Sequence, residues 1–141
     1  IRHAEFWVVG EWNEQNPGAI ERKDLLEWVE TRQIKYLGAE KDVRKYLTEC
    51  DVLVLPSYRE GIPKAILEAL AMEIPVITCD TPGCRETVVH EMNGFLVPAK
   101  DPHALSEAMV KIYNLSEDKR KEMGRKGREW VIKKFASLSN I

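Results

Sequence analysis

Four short apolar runs, at residues 6–9, 34–37, 52–55 and 76–78, with a shorter fifth at 95–97, are separated by helical segments at 22–30, 41–49, 63–72, 102–113 and 119–135. A strand that is apolar on both faces has to be covered on both faces, and helices returning the chain between such strands make them parallel. The pattern therefore predicts an α/β fold built on a doubly wound parallel sheet, in a single domain over residues 1–141. The 44% hydrophobic and 31% charged composition supplies an ordinary core and surface for a chain of 141 residues. Two helix starts are legible. Asp101 stands before Pro102 as an N-cap with proline at the first helical position, and Ser116 precedes an acidic pair.

Composition also excludes several function classes. A net charge of −2 gives no electrostatic footprint for nucleic acid. No apolar run approaches the roughly 18 residues of a membrane span, and the start of the sequence has no signal-peptide pattern, so a soluble, cytoplasmic protein is expected. Cys50, Cys79 and Cys84 are odd in number and lack CxxC spacing, which argues against a disulfide framework or a zinc knuckle.

The segment Glu60-Gly61-Ile62-Pro63-Lys64-Ala65-Ile66-Leu67-Glu68 follows the apolar run at 52–55 and opens a helix. In an open parallel sheet, ligands bind beyond the carboxyl ends of the strands, where loops lead into helices. Pro63 suits the first helical turn, and Gly61 permits either an unusual φ or the close approach of a phosphate. The N–H groups of Ile62, Lys64 and Ala65 would then face an anion, with the positive end of the helix dipole behind them. Lys64 and Glu68 stand four residues apart and share a face. They form either a surface ion pair or part of a ligand site in which Glu68 holds a ribose diol and Glu60 accepts hydroxyls from a second sugar.

Other candidates carry blander readings. Arg59 beside Glu60 reads as a solvated ion pair, with phosphate or acceptor contact as the alternative. His3, His90 and His103 have no metal-ligand partner at helical spacing. Cys84 has no visible base and reads as a packing residue. The four tryptophans read as core or helix-packing groups. The basic residues of 119–134 are interspersed with acids and with Met123, Trp130 and Val131 at helical spacing, as in a packed helix with a solvated face.

Pro56-Ser57-Tyr58-Arg59-Glu60-Gly61, then Glu68-Ala69-Leu70-Ala71 and Pro75-Val76-Ile77, resemble the retaining glycosyltransferases of family 4. The series continues with Asp80-Thr81-Pro82-Gly83-Cys84-Arg85-Glu86, Asn93-Gly94-Phe95-Leu96-Val97-Pro98 and Asp101-Pro102-His103-Ala104-Leu105. Tyr58-Arg59, Pro63-Lys64 and Asn16-Pro17 are most similar to the branch that builds bacterial capsule, exopolysaccharide and O-antigen chains. The resemblance implies the Rossmann-like C-terminal lobe of a GT-B enzyme. It also implies transfer of a hexosyl or N-acetylhexosaminyl group from a nucleotide-diphosphate sugar to a growing glycan.

By that resemblance Glu60 is the catalytic residue, and it binds donor sugar and diphosphate together with Gly61, Ile62, Pro63 and Lys64. Glu68 holds the ribose, and Tyr36, Leu37 and Gly38 recognise the base. No metal and no cofactor is expected, the UDP- or GDP-linked sugar being the substrate. The family's acceptor lobe and the first strand and helix of its donor lobe have no counterpart in the sequence. The chain is accordingly expected to be inactive alone, to partner the missing lobe, and to depend on the parent enzyme for any peripheral membrane association. To compensate for the missing strand, run 6–9 is expected to pair directly with run 52–55, or another chain to fill the slot by exchange or dimerisation. A sugar-nucleotide epimerase of the same fold and a non-catalytic nucleotide-binding or assembly module are the alternative functions.

Overall fold

The computed structural model describes residues 3–12, 21–57 and 61–135, which form two compact units divided after Val43. In the first unit, β1 (Trp7–Val9) and β2 (Lys35–Gly38) are joined through α1 (Arg22–Glu30) and pair in parallel, with Trp7 opposite Lys35 and Val8 opposite Tyr36. The register shifts after Val8, and the ladder ends with the Gly10 N–H donating to the Gly38 carbonyl at 2.9 Å. Both glycines have positive φ, 152° and 74°, so the two strand ends turn where a side chain would be strained.

The second unit contains α2 (Arg44–Leu47), β3 (Leu53–Leu55), α3 (Lys64–Ala71), β4 (Val76–Cys79), β5 (Gly94–Val97), α4 (Pro102–Asn114) and α5 (Glu117–Phe135). Its strands form one parallel sheet in the order β3-β4-β5. Central β4 is buried at all four positions, which is why 76–79 is apolar apart from a threonine whose hydroxyl has a partner. Ile77 and Cys79 face a cluster with Phe95, Val97, Ala108 and Ile112 that belongs to the α4 side. Strand alternation turns Val76 and Thr78 to the other face. The buried Ile66, Ala69 and Leu70 of α3 lie outside the α4 cluster, and α3 contacts β3 and β4. Helices on both faces of a parallel sheet are the expected doubly wound arrangement.

The ladders lie within the units, β1 with β2 in the first and β3-β4-β5 in the second, where β4, buried at every position, is laddered on both edges. Two expectations need correction. No helix separates β4 from β5; the connection is a series of turns, with the fully buried Asn93 accepting from the Val89 N–H and donating to the Thr87 carbonyl. The predicted helix over 41–49 shortens to Arg44–Leu47.

The cap signals hold. The Asp101 carboxylate accepts from the Ala104 N–H at 3.0 Å with Pro102 at the first helical position, and Ser116 Oγ accepts from the Lys119 N–H at 3.2 Å. Long α5 is seated by its glycines: a Cβ on Gly124 would lie 2.0 Å from the Glu73 carbonyl oxygen, and one on Gly127 would lie 3.0 Å from Leu70 Cδ2. No helix among the described residues is long and apolar enough to cross a membrane.

Candidate functional site

The carboxyl end of the β3-β4-β5 sheet is built from backbone turns tied together by side chains. β3 ends at Leu55, and Pro56 leads the chain out of the sheet. The chain re-enters the described structure at Gly61 and starts α3 at Lys64. Pro63, expected at the first helical position, is instead the N-cap, with φ −68° and an extended ψ of 123°. The donors left without an intrahelical acceptor are therefore those of Lys64, Ala65 and Ile66, and the Ile62 N–H lies outside the helix. Among the described residues no side chain caps this end. Aligned N–H groups and the helix dipole give it a partial positive charge that suits an anion.

Around that helix start, Pro63 is buried, Ile62 is 42% exposed and Lys64 projects outward. Gly61 has no positive φ, and a Cβ added there meets nothing within 4 Å among the described residues. Nothing in the described fold requires a glycine at 61. One turn along α3, the Glu68 side chain is only 18% exposed, and its Oε1 lies 3.6 Å from Lys64 Nζ. Glu68 Oε2 is buried and has no hydrogen-bond partner among the described residues. A buried acceptor without a donor carries a desolvation penalty of about 1–3 kcal/mol. A ligand hydroxyl at that position would remove it. The ion pair read from the sequence is present, and it satisfies only one carboxylate oxygen.

The structure thus brings Gly61, Ile62, Pro63, Lys64 and Glu68 together at one helix start. Tyr36, Leu37 and Gly38 belong to the other unit, on β2. There the Tyr36 hydroxyl donates to the Gly10 carbonyl at 2.6 Å and accepts from the Trp12 N–H at 3.1 Å, so it serves the loop that follows β1. Tyr58, Arg59 and Glu60 lie outside the described residues.

Two features of this sheet end were not singled out as site elements in the sequence. A cavity of about 150 Å³ opens between Pro56, Cys79, Pro98, Asp101 and Leu105, above the ends of β3, β4 and β5. The segment after β4 is braced by an Arg85–Asp80 ion pair at 3.1 Å and by the Gly83 N–H donating to the Glu86 carboxylate at 2.6 Å. The second could have been suspected from the Gly-x-x-Glu spacing that a side-chain-capped turn needs. Burial pushes the Cys79 thiol above its ordinary range, with neighbouring Cys84 adding to the effect, so it remains a neutral packing group. The larger hollow, about 420 Å³ between Glu91, Phe95, Lys111 and Met123, is at the amino end of β5 and far along the strands from the helix starts.

Residues 1–115 match the sequence profile of the glycosyl transferases group 1. The chain is similar to the Campylobacter jejuni N,N'-diacetylbacillosaminyl-diphospho-undecaprenol alpha-1,3-N-acetylgalactosaminyltransferase, 36% identical over 117 residues, covering 83% of this chain and 29% of that protein. It is also similar to the Staphylococcus aureus capsular polysaccharide biosynthesis glycosyltransferase CapM, 32% identical over 135 residues, covering 96% of this chain and 35% of that protein. Among solved structures, Anabaena HepE in complex with UDP-glucose superposes with a TM-score of 0.77 at 20% identity, covering 97% of this chain and 41% of that one. The chain spans about a third of the length of the curated relatives it matches. Its motif series, its parallel α/β architecture and this match together assign it: the chain belongs to the group 1 glycosyltransferases, with the Rossmann-like fold of a GT-B lobe.

Proposed function

We propose that this chain is the donor-nucleotide domain of a glycosyltransferase that moves a sugar from a nucleotide diphosphate to a growing cell-surface polysaccharide on the cytoplasmic side of the membrane. The observation that carries the reading is the buried, unpartnered Oε2 of Glu68, one turn below an uncapped helix N-terminus at the carboxyl end of a parallel sheet. A ribose diol supplies two donors to such a carboxylate, and a diphosphate supplies acceptors to the N–H groups of Lys64, Ala65 and Ile66. CapM, a glycosyltransferase named for capsular polysaccharide biosynthesis, and HepE, which holds UDP-glucose, support a polysaccharide product and a nucleotide-sugar donor.

In this reading Gly61, Ile62 and Pro63 line the sugar and diphosphate, Lys64 contributes a mobile positive charge, and Tyr36, Leu37 and Gly38 recognise the base. Glu60 orients the donor sugar and favours positive charge at the anomeric carbon as the glycosidic bond opens.

Calorimetric titration with UDP and GDP tests it. Glu68→Ala is expected to weaken nucleotide binding about tenfold or more, the worth of hydrogen bonds to a charged group, without lowering the melting temperature. In the full-length parent enzyme, Glu60→Ala should chiefly lower turnover. No binding of either nucleotide at millimolar concentration refutes the reading, and isomerised nucleotide sugar formed by the parent without acceptor points to an epimerase instead.

A further inference from the structure

The ladder between β3 and β4 continues past its last backbone pair. Leu55 is opposite Thr78, and from there two threonine side chains extend the pairing. Thr78 Oγ1 donates to the Leu55 carbonyl at 2.7 Å, and Thr81 Oγ1 donates to the Ser57 carbonyl at 3.1 Å. Thr78 is fully buried and Thr81 is 7% exposed, so both hydroxyls lie inside the protein.

The segment carrying Thr81 is itself held on several sides. The Asp80 N–H donates to the Val97 carbonyl of β5, the Thr81 N–H to the Cys79 carbonyl, and the Arg85 N–H to the Thr81 carbonyl. Arg85 adds its ion pair to the Asp80 carboxylate and a 3.0 Å bond to the Asp80 carbonyl. Ser57 sits at the other end of the Thr81 bond, four residues before Gly61 in the stretch that links β3 to the start of α3. A buried hydroxyl on a braced loop therefore fixes the carbonyl from which that stretch departs.

We propose that Thr81 is a positioning residue for the sugar end of the donor site, acting through Ser57 to set where Gly61, Ile62 and Pro63 stand above β3. The proposal rests on the reading of that helix start as a nucleotide-sugar pocket. α3 is held in addition by its own packing, through Ile66, Ala69 and Leu70. Loss of the Thr81 hydroxyl should consequently be felt by the sugar more than by the nucleotide.

The test uses Thr81→Val, which keeps the shape and removes the hydroxyl, and Thr81→Ser, which restores it. In the full chain titrated with UDP-glucose and with UDP, Thr81→Val is expected to raise the Kd for UDP-glucose about three- to tenfold more than the Kd for UDP, the range of one net hydrogen bond. Thr81→Ser should return the ratio to that of the unsubstituted chain. A role confined to stability would lower the melting temperature and leave the ratio unmoved, and that outcome, or failure of serine to rescue, overturns the proposal.

A second measurement needs no ligand: amide exchange at Ser57, whose N–H donates to the Leu55 carbonyl at 3.0 Å, should quicken in Thr81→Val and recover in Thr81→Ser, and unchanged exchange overturns the anchoring. If the unsubstituted chain binds neither UDP-glucose nor UDP, the site reading and the sugar half of the proposal both fall. The exchange rates then still decide whether Thr81 holds the loop.

Discussion

Gly61 and Gly94 look alike in the sequence and differ sharply in their surroundings. A Cβ on Gly94 would stand 1.8 Å from the Val76 carbonyl oxygen, a backbone atom in the middle of the sheet that cannot yield cheaply. Gly94→Ala is therefore expected to cost about 3 kcal/mol or more, read as a large fall in the denaturation midpoint. Gly61 has open space around it among the described residues and no positive φ, so Gly61→Ala should leave stability within about 0.5 kcal/mol while weakening UDP-glucose binding. A destabilised Gly61→Ala, or one that binds normally, would return this glycine to a structural role. The sequence left two reasons for Gly61, an unusual φ or close ligand approach, and the structure removes the first. The Lys64–Glu68 pair was legible because helical spacing alone sets it. The unpartnered oxygen of Glu68 was not, because it depends on what the packed sheet hides from water. Titration gives a further residue-scale prediction at Cys50, whose thiol is raised first by burial and then by Asp51 and Glu49. Thiolate is the reactive form, so at pH 8 Cys50 should alkylate more slowly than a free cysteine, and its rate should keep rising beyond the pH at which a free thiol levels off. Labelling by iodoacetamide across pH, read by mass spectrometry, checks this; a rate levelling off at the free-thiol pH contradicts it.

At the scale of elements, α5 does more than its solvated charge pattern suggests. Part of that pattern is plain surface pairing, Glu117 with Lys121 at 3.2 Å and Glu122 with Lys126 at 3.4 Å, worth a few tenths of a kcal/mol each. Three other cations reach backbone carbonyls. Arg120 Nη1 donates to the carbonyl of Leu115 and lies within reach of those of Ile112 and Tyr113, at the carboxyl end of α4. Arg128 donates to the Ala71 carbonyl at the end of α3, and Lys134 Nζ to the Glu86 carbonyl at 2.6 Å. Carbonyls in a last helical turn lack intrahelical donors and sit at the negative end of the dipole, so a guanidinium there satisfies both. Arg120→Ala and Arg128→Ala should each cost about 1–2 kcal/mol, with lysine recovering only part because it lacks the planar fork. Urea unfolding measures this as a lower midpoint at constant slope, and wild-type midpoints in both variants would contradict it. From the sequence, these arginines could not be told from their ion-paired neighbours. Which cation meets which helix end is decided by how closely α5 approaches, and that approach depends on Gly124 and Gly127, whose contacts are with residues more than 30 positions away.

For the whole molecule, the strand and helix alternation was readable because burial on both faces writes itself into each run of side chains. Strand order was not, because a ladder partner is chosen by non-local packing: nothing local in run 76–79 says that it stands between β3 and β5. The same distinction between local and assembled properties bears on activity. A departing nucleoside diphosphate carries at least two negative charges, and fixed cations facing it commonly supply several kcal/mol of transition-state stabilisation. The cation that the described residues set at the start of α3 is Lys64, whose side chain is 86% exposed and already paired with Glu68. A charge so hydrated contributes little more than a surface salt bridge, about 0–1 kcal/mol. Helix-end N–H groups carry only partial charge: they suffice to bind the donor, but they stabilise the charge added to the departing diphosphate far less than fixed cations would. The 141-residue chain, which spans about a third of its relatives, is therefore expected to bind UDP-glucose and to release no UDP from it above the background in water. A coupled UDP-release assay over hours, with and without a glycan acceptor, measures this directly. Binding without release supports a donor domain whose chemistry depends on groups outside the chain, whereas steady UDP release by the isolated chain would mean that the helix start and its two carboxylates, Glu60 and Glu68, are sufficient for bond cleavage.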